Sequence, residues 1–169
     1  MNKLDHQSFW KEKDGKECRA DIYLSNNFSK LKNVAQVYGI ILDPGRSMVL
    51  LARHKNNKYT LPGGHVEKGE TLIQTLLREI KEETNKDVYG DKIIPFFYQI
   101  AFIKENDKWI ECEIQVRYIT IVKNNNKFIS DPDGDIVENK WIKIDELDKY
   151  LNWGHTTEII IKKLKNILK

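Results

Sequence analysis

The chain has 169 residues and a mass of 19.9 kDa, enough for one domain with a modest extension. Apolar residues make up 40% and charged residues 31%, which supports a buried core and excludes disorder throughout. A net charge of +3, from 28 basic and 25 acidic side chains, is too balanced for a protein that coats DNA or an anionic membrane.

Residues 1–33 form a polar, lysine-rich leader with Phe9, Trp10, Ile22, Tyr23, Leu24 and Phe28 scattered through it. It reads as a short strand and flap, or as a loose tail. The first thirty residues contain no apolar signal-peptide region, and no run is long enough to span a bilayer, so a cytoplasmic location without membrane contact is expected. Cys18 and Cys112 lie far apart with no CxxC pair, against a disulfide framework or a thiolate zinc site. Asn27-Phe28-Ser29 matches a glycosylation sequon by chance on that reading.

From Val34 the pattern sharpens into a second unit, residues 34–169. Val34 to Leu42 and Met48 to Arg53 read as a strand pair around the turn Asp43-Pro44-Gly45-Arg46. After a polar loop, Leu61-Pro62-Gly63-Gly64 breaks regular structure, and Glu70 to Thr84 is the strongest helix signal in the chain. Ile93 to Lys104 and Lys108 to Lys123 are β-rich. Asn124-Asn125-Asn126 and Asp131 to Gly134 are loops, and Lys140 to Ile144 is a short strand. Asp145 is expected to cap a small helix through Tyr150, and Thr156 or Thr157 to open a last helix ending near Leu168.

On the 70–84 helix, Leu72, Ile73, Leu76, Leu77 and Ile80 fall within an arc of about 140°, an expected core stripe. Glu79, Glu82 and Glu83 crowd one edge of it at i,i+3 and i,i+4 spacing, near the helix end where the dipole also disfavours anions. Clustered hard oxygen donors suit Mg²⁺ or Mn²⁺. The plainer alternative is a solvated acidic face neutralised by Arg78, Lys81 and Lys86.

The preceding loop weighs against that alternative. Gly64, five residues, Glu70, seven residues, Arg78-Glu79-Ile80, one residue, then Glu82-Glu83 resembles the signature box of the Nudix hydrolases. Its six identities arise by chance about once in 10⁷ starting positions. Tyr59-Thr60-Leu61-Pro62-Gly63 before the box, and Asp135-Ile136-Val137-Glu138, Trp141-Ile142 and Asp145-Glu146-Leu147 after it, extend the similarity over roughly residues 34–168. Two positions depart: Asn85 replaces the usual glycine and Lys86 the usual aliphatic residue. Asn is the next-best residue for a left-handed helix end, and Val88 can supply the missing apolar contact.

The resemblance implies an α/β/α sandwich with a mixed sheet between helices. It also implies metal-dependent hydrolysis of a nucleoside diphosphate linked to another moiety, such as a nucleoside triphosphate, a nucleotide sugar or a dinucleotide. By the same resemblance Glu79, Glu82, Glu83 and the Gly64 carbonyl would be metal ligands, Arg78 would hold a glutamate in place, and Glu70 would support the loop–helix junction. The general base is Glu79 acting through a water, or a carboxylate outside the box.

Trp109, Glu111, Glu113, Gln115 and Arg117 alternate with apolar residues, so one polar strand face either lines a charged pocket or meets solvent. Glu111 and Glu113 are therefore substrate-site candidates, with Asp131, Asp135 and Glu138 as competitors. Arg53 is a phosphate clamp or a structural ion pair, and Tyr59 and Trp141 stack a base or plug the core. His54, His65, Trp153 and His155 read first as solvated or structural. Asp131, Asp133 and Asp135 imitate a calcium loop, but Ile136 and Ile142 stand where glycine and glutamate are needed. Two other functions stay open: a nucleotide-sensing module without turnover, and a pyrophosphohydrolase of RNA 5′ ends. The leader or exposed aromatics could also support a homodimer.

Overall fold

In the computed structural model, which describes residues 4–124 and 126–168, much of the polar leader is ordered sheet. His6–Lys11 (β1) and Glu17–Tyr23 (β2) form an antiparallel hairpin. Val34–Leu42 (β3) and Met48–His54 (β4) follow, then the short Tyr59–Thr60 (β5) and Gly63–His65 (β6). Helix Leu72–Thr84 (α1) leads to the long strands Ile94–Glu105 (β7) and Lys108–Ile121 (β8), then Ile136–Lys143 (β9) and helix His155–Ile167 (α2). The strands make one mixed sheet in the order β1-β2-β7-β8-β3-β4-β5, with β6 paired to β3 and β9 to β4. The β3–β8 pairing is parallel.

Each face of the sheet is covered by one helix, which gives the expected α/β/α sandwich. Leu76 and Ile80 of α1 pack with Val37, Ile41, Leu50, Val116 and Tyr118 on one face. Ile160 and Leu164 of α2 pack with Ile40, Leu42, Leu51, Phe97 and Ile119 on the other. Among the described residues no helix is long and apolar enough to cross a membrane. Cys18 is buried and Cys112 exposed, and both are free thiols.

Several boundaries differ from the sequence reading, each for a local reason. Helix α1 begins two residues late because Thr71 caps it: the Gln74 N–H donates to the Thr71 hydroxyl while the Gln74 side chain accepts from the Thr71 N–H. Asn85 ends it in the left-handed region at φ 53°, donating to the Lys81 carbonyl. Lys86 is buried, and its ammonium donates to the Asn126 carbonyl, while Val88 packs against the α1-side core. The central residue of the Asn124-Asn125-Asn126 turn lies outside the described residues. The 144–149 segment is a 3₁₀ helix without a side-chain cap, and Asp145 instead pairs with Lys165. Gly154, at φ 56°, opens α2, and Thr156 and Thr157 are buried in its first turn.

The α1 stripe is also shifted. Leu76, Ile80, Thr75 and Thr84 are buried, whereas Ile73 and Leu77 remain 37% and 39% exposed. Gly39 sets this geometry: a Cβ there would lie 3.1 Å from Ile80 Cδ1 and 3.3 Å from Leu76 Cδ1. The helix therefore rests closely on β3, rotated so that its carboxylate edge faces β6.

Candidate active site

Strand β6 lies between β3 and the carboxylate edge of α1. Gly63, Gly64 and His65 pair with Tyr38, Val37 and Gln36. Gly63 adopts φ 149°, and a Cβ on it would meet the Val37 carbonyl oxygen at 2.2 Å. Its N–H donates to Glu83 Oε2 at 2.9 Å. A Cβ on Gly64 would lie 2.5 Å from Glu79 Oε1, so this backbone rests directly against the carboxylate. The two glycines are what allow the chain to pass this close to the acidic cluster.

Arg78 ties the cluster together. Its Nε donates to Glu70 Oε1 at 2.8 Å, Nη1 donates to Glu79 Oε1 at 2.8 Å and Glu82 Oε2 at 3.0 Å, and Nη2 donates to the His65 carbonyl at 3.1 Å. The Arg78 guanidinium and the Thr75 hydroxyl hold the Glu70 carboxyl down at about 2. Glu79 moves the other way, because burial outweighs its bond from Arg78. Glu83 is pushed up to about 8 by burial, against the opposing bond from Gly63 and reinforced by the nearby charges of Glu79, Asp131 and Glu82. Burial thus disfavours the anionic form of two carboxylates at this site.

The structure does not gather every sequence candidate here. Arg53 Nε donates to Glu138 Oε2 at 2.6 Å and Nη1 to Asn57 Oδ1 at 2.8 Å, a link between β4 and the neighbouring segments. Tyr59 packs edge-to-face on Tyr150, with ring centroids 5.2 Å apart, against the α2-side core. Asp135 pairs with Lys55 at 2.5 Å, and Asp131 accepts from the Asp135 and Ile136 N–H groups. Trp141 packs in the α1-side core.

Strand β8 corrects the expected polar face. Its register with β7 slips between Ala101↔Glu113 and Phe102↔Glu111, leaving Cys112 as an extra residue. This bulge reverses the alternation. Trp109 goes with Phe102 around the Arg19 guanidinium on one face, and Glu111 is exposed on that side. Glu113, Gln115 and Arg117 stay together on the face toward α2.

Matches to known proteins accord with this geometry. A family model described as NUDIX domain matches residues 32–163. The chain belongs to the Nudix hydrolase family. It is 30% identical to an 8-oxo-dGTP diphosphatase of Buchnera aphidicola over 138 residues, 78% of this chain and 93% of that protein. Nudix hydrolase 5 of Arabidopsis thaliana is 27% identical over 92 residues, 53% of this chain, and the match spans 28% of that protein's length. The NAD-capped RNA hydrolase NudC of Vibrio atlanticus is 54% identical over 43 residues, 24% of this chain and 16% of that protein. Among solved structures, the Bacillus subtilis pyrophosphohydrolase BsRppH superposes with a TM-score of 0.65 at 20% identity, over 94% of this chain and 96% of that one. The fold is therefore shared over most of the chain.

A divalent cation fits the Nudix cluster by donor chemistry. Among the described residues no three acidic, imidazole or thiolate groups already converge into a cage, because Arg78 stands between Glu79 and Glu82. The donors are nonetheless hard oxygens, and positive charge among them offsets the burial penalty, and the smaller mutual repulsion, that raise Glu79 and Glu83.

Beside this cluster the Nudix fold holds a cavity of about 780 Å³, between the leader hairpin, the α2 side of the sheet and the 152–154 loop with the start of α2. Thr60 and Leu61, just before the glycine loop, line it together with Tyr38, Gln99, Gln115, Arg117 and Trp153. Tyr38 joins cavity and cluster: it lines the cavity, and a Cβ on Gly63, whose N–H donates to Glu83, would lie 2.7 Å from Tyr38 Cδ1. The leader contributes His6, Ser8, Trp10, Ala20 and Ile22 to the wall. Sequence reasoning left Gln99 and Tyr38 out of the site. Arg117 and Gln115 were legible as part of the polar face of β8 that either lines a charged pocket or meets solvent, and the structure puts them on a cavity wall.

Proposed function

We propose that the protein hydrolyses a phosphoanhydride bond in a nucleoside diphosphate linked to another moiety, using Mg²⁺ or Mn²⁺. The observation that carries this reading is the packing of Glu79 and Glu83 against Gly63 and Gly64, next to a cavity large enough for a nucleoside. Glu79, Glu82, Glu83 and the Gly64 carbonyl would hold the cation. When bound, it supplies neutralisation of the diphosphate charge and a more acidic attacking water. Glu79, whose carboxyl is held above its usual range, is suited to accept a proton from that water. Arg78 fixes Glu79 and Glu82 through charged hydrogen bonds, and Glu70 fixes Arg78 in turn. The nucleoside end of the substrate occupies the cavity.

The test is a panel of nucleoside triphosphates, nucleotide sugars, dinucleoside polyphosphates and 5′-triphosphate RNA, incubated with Mg²⁺ or Mn²⁺ and analysed for both products. At least one member is expected to be cut at a phosphoanhydride, with turnover abolished by excess chelator. Tight binding of one member with no turnover of any would instead make the chain a nucleotide sensor. Cleavage confined to the RNA would narrow the substrate to 5′ ends.

A further inference from the structure

We infer that Arg117 reads the base of the substrate, selecting a keto purine such as guanine or hypoxanthine over adenine. The inference deepens the proposed function and rests on it only in taking the cavity as the nucleoside site. Arg117 is 5% exposed, yet it lines the cavity, and its Nε and Nη1 have no hydrogen-bond partner. Its Nη2 donates to Gln115 Oε1 at 2.6 Å, and that oxygen also accepts from Gln99 Nε2 at 2.9 Å. The guanidinium carbon sits 5.0 Å from the Tyr38 ring centroid and 5.1 Å from that of Phe97. The fork is thus oriented by its neighbours, with two donor nitrogens still unsatisfied. Burial lowers its proton affinity to about 10, against smaller opposing effects of Tyr38 and Glu113.

A buried donor left unpaired is destabilising unless a ligand completes it. The cavity decides which ligand. Among the described residues that line it, Arg117 is the only lysine or arginine, and none is a carboxylate. Trp10, Leu61 and Trp153 instead offer flat and apolar surface, which suits a planar ring better than a hydrated phosphate. Arginine pairs through two neighbouring donors, here the second Nη2 N–H together with that of Nε or of Nη1, with the O6 and N7 acceptors on one edge of guanine. Adenine places an amino donor beside N7 and leaves one arginine N–H facing another N–H. Uracil and cytosine lack two adjacent acceptors on that edge.

The experiment is titration of the full chain with GMP, IMP, AMP and UMP, followed by calorimetry or tryptophan fluorescence, for wild type, Arg117→Met and Arg117→Lys. GMP and IMP are expected to bind wild type about tenfold or more tighter than AMP or UMP. Both variants are expected to lose that preference, Arg117→Lys because an ammonium cannot present the fork. Arg117→Met is also expected to melt no lower than wild type, since an apolar side chain replaces an unpaired buried cation. Equal binding of all four nucleotides, no binding of any, or a preference retained by Arg117→Met overturns the inference. So does a loss confined to inorganic pyrophosphate binding, which would make Arg117 an anion anchor. Because none of these titrations needs turnover, failure of the hydrolase reading leaves a separate result: a base preference without cleavage. Cleavage of guanosine and adenosine substrates at equal kcat/KM, conversely, retains the hydrolase and removes the selectivity.

Discussion

Glu82→Gln and Glu83→Gln are each expected to lower kcat by at least about 100-fold while the protein stays folded. Both changes keep side-chain size and remove one negative charge. At Glu83 the amide oxygen can still accept the Gly63 N–H, now at 2.9 Å from the carboxylate, so the loop keeps its anchor. At Glu82 the side chain is half-exposed and bonded to Arg78, which retains Glu70 and Glu79 as partners. What both variants lose is anionic charge for a cation. The check is steady-state turnover on whichever panel member is cleaved, together with a thermal melt. Unchanged kcat, or activity equal with and without chelator, removes the metal assignment.

The second large effect separates the two glycines of β6. Gly63→Ala is expected to destabilise the fold by about 3 kcal/mol or more, lowering Tm by roughly 6–12 °C. Its Cβ would collide with backbone, 2.2 Å from the Val37 carbonyl oxygen and 2.6 Å from Tyr38 Cα, at φ 149°. Neither strand can yield without breaking the β3–β6 register. The nearest obstacle to Gly64→Ala is the Glu79 carboxylate, at 2.5 Å, and a flexible side-chain end can move aside. That variant should fold with a near-normal melt yet lose turnover, because the displaced group is the one assigned to the attacking water. Equal melting of Gly63→Ala and wild type would mean that β6 does not lie where the structure puts it.

How much of this was legible in the sequence varies with the range of the interaction responsible. Helix α1 was readable because its signals are local: periodic leucines, charged spacing, and an asparagine able to end it. Its rotation was not, because the close approach at Gly39 that sets it comes from a strand more than thirty residues away. The carboxylate edge was visible as a pattern, but the grip of Arg78 on Glu70, Glu79 and Glu82 together appears only in three dimensions. The bulge at Cys112 carries no marker residue, so the polar face of β8 looked continuous when it is split. The leader stayed open between strand and tail because β1 alternates weakly, and pairing to β2, then of β2 to β7, supplies its order. Arg53 and Tyr59 stood at positions able to reach a substrate, and only their contacts with Glu138 and Tyr150 show them engaged elsewhere.

A manganese-soaked crystal, examined by anomalous scattering, addresses the central claim most directly. The account predicts an anomalous peak coordinated by carboxylate oxygens of Glu79, Glu82 and Glu83 and by the Gly64 carbonyl, with Arg78 released from at least one glutamate. Well-ordered density for those side chains, with Arg78 still bridging Glu79 and Glu82 and no ion among them, would contradict it.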